Sequence, residues 1–88
     1  MVFKVGSVYR NEHHTHFILA QKHYDSTTNV IQIMFVNAVN WIVVEELTGK
    51  LMSDGSISCQ QLDHTAYELV AETVGKYYER VRKNKLPQ

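Results

Sequence analysis

Val30-Ile31-Gln32-Ile33-Met34-Phe35-Val36 is β-branched or aromatic on both of the faces that a two-residue period creates. Such a run predicts a central strand of a sheet, covered on each side. Turn formers bound it. Asp25-Ser26-Thr27-Thr28-Asn29 precedes it and Asn37-Ala38-Val39-Asn40 follows, residue types whose side chains hydrogen-bond their own backbone in loops. Toward the N-terminus, Thr15-His16-Phe17-Ile18-Leu19-Ala20-Gln21 reads as a strand, with Phe17 and Leu19 on one face and His16 and Ile18 on the other. Val2-Phe3-Lys4-Val5-Gly6-Ser7-Val8-Tyr9 alternates on both sides of Gly6, which marks a bulge or bend. Between these lies the polar turn Arg10-Asn11-Glu12-His13-His14. Toward the C-terminus, Trp41-Ile42-Val43-Val44-Glu45 resumes as a strand, with core packing expected for Trp41 as for Met34 and Phe35. Thr48-Gly49-Lys50 and Asp54-Gly55 mark two turns, the second suited to a hairpin. Ser56-Ile57-Ser58-Cys59-Gln60 is a short last strand with Ile57 and Cys59 on one face.

Beyond residue 60 the period changes. Tyr67, Val70, Val74, Tyr77 or Tyr78, and Val81 recur at three-to-four spacing, an apolar helical stripe. Asp63, or Thr65 with Glu68, can cap its start, and Arg80, Arg82 and Lys83 suit the negative end of the helix dipole. Gly75 lies inside this helix at a cost of about 1 kcal/mol relative to Ala, which predicts close approach to another backbone. The fold class is therefore α+β: a small antiparallel curved sheet or partly open barrel of about five strands over residues 2–60, one C-terminal helix over 63–83, and a frayed tail at 84–88.

Composition sets the limits on function. The 88 residues suit a single domain, and nine Lys+Arg balance nine Asp+Glu. That excludes a strongly basic nucleic-acid coat and an acidic nucleic-acid mimic. The apolar runs are far shorter than the ~20 residues a membrane helix needs, and nothing at Met1 resembles a secretion signal. A single cysteine, Cys59, forms no intramolecular disulfide and suits a reducing cytoplasm. A chain of this size buries only ~60–65% of its unfolded surface, so a two-sided apolar block beside one helix predicts at least a dimer or a partner, with ~1,000 Å² or more in contact.

The candidate sites divide into weak and stronger. His14 and His16, two apart, would share a strand face as metal ligands do, and His13, His23, His64 or Cys59 could join them. No ligand motif accompanies them, so no metal or cofactor is expected. Cys59 lies on a strand and reads as a small core residue. Ser53, Ser56 and Ser58 lack a nucleophile elbow. Glu45 and Glu46 point to opposite strand faces and cannot act as an acid/base pair. No enzyme activity is expected. Residues 76–88, however, hold Lys76, Arg80, Arg82, Lys83 and Lys85 against Glu79, interleaved with Tyr77 and Tyr78. Such a surface can bind nucleic acid, RNA or a single strand, or anchor a protein through Tyr and Arg. Four-residue spacing pairs Tyr78 with Arg82 on the outer side and places Tyr77 on the core stripe.

Phe3-Lys4-Val5-Gly6-Ser7-Val8-Tyr9, then Phe17-Ile18-Leu19-Ala20-Gln21, then Trp41 after a hydrophobic strand resemble the opening of small phage-encoded proteins with a Src-homology-three-like curved sheet. The resemblance covers about the first 45 residues. It implies a small accessory protein that binds and inhibits a host or defence protein in the host cytoplasm. It carries over no functional residue. The expectation is a non-enzymatic protein-binding module with partner-binding residues Tyr78, Arg80, Arg82, Lys83 and Lys85. A nucleic-acid-binding domain using the basic helix is the first alternative, and a virion or assembly component the second.

Overall fold

The structure, a computed structural model, describes residues 2–84. Its strands are β1 (Phe3–Lys4), β2 (Val8–Asn11), β3 (His16–Asp25), β4 (Val30–Asn37), β5 (Val43–Leu51), β6 (Ser56–Ser58) and β7 (Tyr67–Ala71), followed by helix α1 (Val74–Asn84). All pair antiparallel in one sheet of order β1-β6-β5-β4-β3-β2-β7. The 30–37 segment is the middle strand, as its two-faced pattern predicts.

The strand order forces the sheet to curl. β1 and β2 are joined by only three residues, yet four strands lie between them in the sheet. Laid flat, five inter-strand steps would separate them by about 24 Å, whereas the chain from Lys4 to Val8 reaches at most about 14 Å. The two edges must therefore approach each other. At the seam the Phe3 ring lies edge-on to Tyr67 of β7 at 5.9 Å. The Tyr9 hydroxyl donates to Val2 O at 3.2 Å and accepts from Lys4 N–H at 2.8 Å. Gly6, at φ 89°, supplies the left-handed corner between them.

Curling separates two cores. Inside the half-barrel pack Phe3, Tyr9, Phe17, Leu19, Ile31, Ile33, Phe35, Ile57, Cys59 and Leu62, with Tyr67 stacked on Phe35 at 5.1 Å. On the outer face Val8, Ile18, Val36, Ala38 and Ala71 lie with Tyr77 of α1, flanked by Met34, Val74, Tyr78 and Val81. The apolar block of β4 is thus covered on both faces by its own chain. Of the large apolar side chains left exposed, Val39, Trp41, Ile42, Val43 and Val44 are close together in sequence, while Val2, Val5, Met52 and Leu69 are scattered.

Three expectations need correction. The strand count is seven rather than five. Residues 63–73 are not helical: Thr65 N–H and Oγ–H both bond Asp63 Oδ1, closing a turn, and Tyr67–Ala71 pairs with β2. Val70 is an extra residue between Leu69 and Ala71 in that register, which sends Val70 and Ala71 to the helix-covered face. The helix is instead capped by Thr73, whose Oγ1 accepts Lys76 N–H at 3.0 Å and whose carbonyl takes Tyr77 N–H. Thr48-Gly49-Lys50, expected as a turn, continues β5. The 84–88 tail, Lys85 included, lies outside the described residues apart from residue 84, the last of α1.

Gly75 has no close neighbour among the described residues, so the close approach expected of it is corrected too. A Cβ there would meet nothing nearer than Thr73 Oγ1 at 4.0 Å. Gly75→Ala should therefore stabilise the protein by a few tenths to about 1 kcal/mol. A urea melt showing lower stability for the variant would indicate a contact at this position.

Candidate interaction surface

The loop joining β4 to β5 is built around two asparagines. Asn37 Oδ1 accepts the N–H groups of Val39 at 2.8 Å and Asn40 at 3.3 Å, and Asn40 Oδ1 accepts that of Ile42 at 3.0 Å. Backbone bonds run from Trp41 N–H to Asn37 O and from Asn37 N–H to Ile42 O, each 2.9 Å. Together they hold Trp41 at φ 62°, a left-handed conformation that a bulky side chain adopts only when its surroundings impose it. The indole is consequently presented outward, 61% exposed. The core position expected for Trp41 is corrected by this loop: the hydrophobic residue that sequence periodicity sends inward is turned out by its backbone.

Helix α1 supports the ring from below. Tyr78 stacks on Trp41 with centroids 6.1 Å apart and planes 14° from parallel. Its hydroxyl donates to Ala38 O at 2.7 Å, and partial burial raises its pKa. Tyr77 faces inward, its hydroxyl 2.6 Å from His16 Nδ1. Val39, Ile42 and Val44, close to Trp41 in sequence, are exposed as well and extend an apolar ledge along this segment. A groove of about 410 Å³ lined by His13, His14, His16, Asn37 and Val39 runs along its flank.

The residues read from sequence as partner contacts scatter. Tyr78 is half-buried and props Trp41 rather than standing clear. Arg80 Nη1 donates to Val70 O at 2.6 Å, tying α1 to β7. Arg82 and Lys83 are exposed, and four-residue spacing puts Arg82 on the Tyr78 side of the helix. His14 stands in a turn at φ 61°, so it and His16 do not share the strand face that their spacing implied. His16 titrates below the ordinary histidine range, first through burial and then through the charges of Arg10 and His14. Among the described residues no group of three or more His, Cys, Asp or Glu is placed to hold a metal ion. No described helix is long and apolar enough to cross a membrane.

Sequence reasoning missed the exposure of Trp41. Its one usable signal was the pair Asn37 and Asn40, residues that tie loops through their side chains. Compared with protein families, with curated proteins and with solved structures, the chain has no match in any of the three.

Proposed function

We propose that this chain is a protein-binding module whose partner docks on the ledge of Val39, Trp41, Ile42 and Val44, with Tyr78 beneath it. The observation carrying this reading is Trp41, held exposed in a left-handed conformation by a loop tied down at both asparagines. A folded chain seldom exposes neighbouring large apolar side chains without a use for them. A rigidly presented aromatic ring is the kind of group that dominates interface energy, because little freedom is lost on binding. The basic helix offers less. Of its cations, Arg80 is engaged with Val70 and Lys76 lies 3.6 Å from Glu72. The resemblance of the first strands to phage accessory proteins makes a host or defence protein the partner to seek, with inhibition as the mode of action.

Trp41→Ala should leave the melting temperature within a few degrees of wild type, since the ring is largely in water, and should weaken partner binding by about 2 kcal/mol or more. Affinity capture from a host lysate, run for both proteins with and without nuclease and at two salt concentrations, checks this. Equal capture by the variant would remove the ledge as the docking surface. Capture lost to nuclease, with steep salt dependence, would favour the nucleic-acid reading.

A further inference from the structure

β5 leaves the sheet with an unfinished edge. β6 pairs only with its last two residues, Lys50 and Leu51. Among the described residues, 43–49 therefore have β4 on one side and no paired strand on the other, although Ser58 and Cys59 lie close against Gly49. The direction of their backbone groups follows from fixed points at the strand's end. Leu51 N–H donates to Asn29 O, toward β4, and Met52 N–H to Ser56 O, toward β6. In an antiparallel strand these directions alternate, so Thr48 and Glu46 face away from β4. The Thr48 carbonyl accepts the Cys59 thiol at 3.4 Å. Glu46 is the next outward position, and a cleft of about 550 Å³ opens there between β5 and residues 58–61. At the far edge of the sheet, by contrast, the Val70 carbonyl of β7 is held by Arg80.

Charge narrows the choice of occupant. Glu45 pairs with Phe35 and Glu46 with Met34, so the two carboxylates lie on opposite faces of the same edge. Glu46 is bound to Lys22 at 2.7 Å. Among the described residues no cation lies within ion-pair distance of Glu45. A strand added antiparallel places its side chains directly across from these, about 4.5–5.5 Å away. A second copy of this chain pairing symmetrically along 43–47 would set Glu45 against its own equivalent and Val44 against Glu46. A cation opposite Glu45 is favoured instead.

We infer that β5 receives an extended, cationic segment of the partner protein as an added strand, its backbone bonding the outward groups of Glu46 and a Lys or Arg facing Glu45. This rests on the protein-binding reading and specifies how the partner enters. Because β5 begins at Val43, beside the ledge, the same segment runs onto Trp41, where an apolar side chain would meet the indole. Main-chain bonds then supply affinity and the facing side chains supply selection.

The test uses the full chain and short synthetic peptides alternating valine with lysine or arginine. One twin carries glutamate at the cationic positions, and another is N-methylated on the edge-facing backbone. Amide exchange is followed residue by residue. The cationic peptide should slow exchange at Glu46 by about tenfold or more while leaving the Gly55 turn unchanged. The glutamate and N-methylated twins should not, and Glu45→Lys should reverse the charge preference. Equal protection by both charges would overturn the cationic occupant, and no protection by any peptide, or protection by the N-methylated peptide, would overturn strand addition. Partner capture that depends on Trp41 without any Glu46 protection would likewise overturn it, while leaving the docking ledge in place.

Discussion

Tyr77→Ala should lower the unfolding free energy by about 3–5 kcal/mol, the range for truncating a large buried aromatic. In a domain of ordinary stability, on the order of 5–15 kcal/mol, that is enough to leave a substantial unfolded fraction under mild stress. The side chain is 2% exposed and fills the space between α1 and the outer sheet face. It meets His16 and Tyr78 edge-on, with centroids at 5.4 and 5.1 Å. Tyr77→Phe keeps the packing and loses only the hydroxyl contact with His16, so it should cost about 1 kcal/mol. Urea denaturation followed by circular dichroism separates the two. A cost under about 1 kcal/mol for the alanine variant would mean that the helix does not seal this face.

The histidine in that contact also carries a pH dependence. His16 has its pKa lowered in the folded state from the ordinary 6.5, by burial first and then by the neighbouring Arg10 and His14 charges. The unfolded chain therefore takes up this proton at higher pH than the folded one does. The contribution is complete above the unfolded value and is lost as pH falls from there through the folded value. Melting temperature should accordingly decline as pH is taken from slightly alkaline to mildly acidic, and His16→Gln should flatten that decline. An unchanged slope in the variant would assign it to other groups.

Gly49→Ala should cost about 3 kcal/mol, a loss on the order of 15 °C in melting temperature for a domain of this size. The added methyl would lie 2.5 Å from the Ser58 carbonyl oxygen and 3.1 Å from Cys59 Cβ. The nearest atom is backbone, so no side-chain rotation relieves the clash, and β5 must move from the β6 end of the sheet. Thermal melting of this single variant is the check. A shift of only a degree or two would show that the two strands can part there at little cost.

Gly49 also shows why the sequence was only partly legible. In isolation Thr48-Gly49-Lys50 carries turn chemistry, yet here the glycine serves a close crossing of two backbones inside a strand. Local signals succeeded where local physics decides. The two-faced pattern of residues 30–36 identified the middle strand, and the Asp54-Gly55 turn forms with Gly55 at φ 86°. They failed where distant partners decide. Tyr67, Val70 and Val74 satisfy a helical period equally well as a bulged strand followed by a helix, and only pairing with Val8–Asn11 selects the strand. The exposure of Trp41 was hidden for a related reason. Hydropathy reports what a side chain prefers, whereas the asparagine-tied backbone dictates where it points.

The three-residue crossing between β1 and β2 has a kinetic consequence. β2, β3, β4, β5 and β6 are joined in series by short turns and can pair as soon as they meet. Phe3 must instead find Ile57, and Val8 must find Ala71, across most of the chain, and such distant closures are slow because their entropy is spent before any contact forms. β1 at one end and β7 at the other are therefore expected to join a five-stranded ribbon formed before them, with the helix docking after β7. The protein's one tryptophan sits on the early ribbon with its stacking partner on the late helix. Its fluorescence should therefore report the final docking step rather than the collapse expected to precede it.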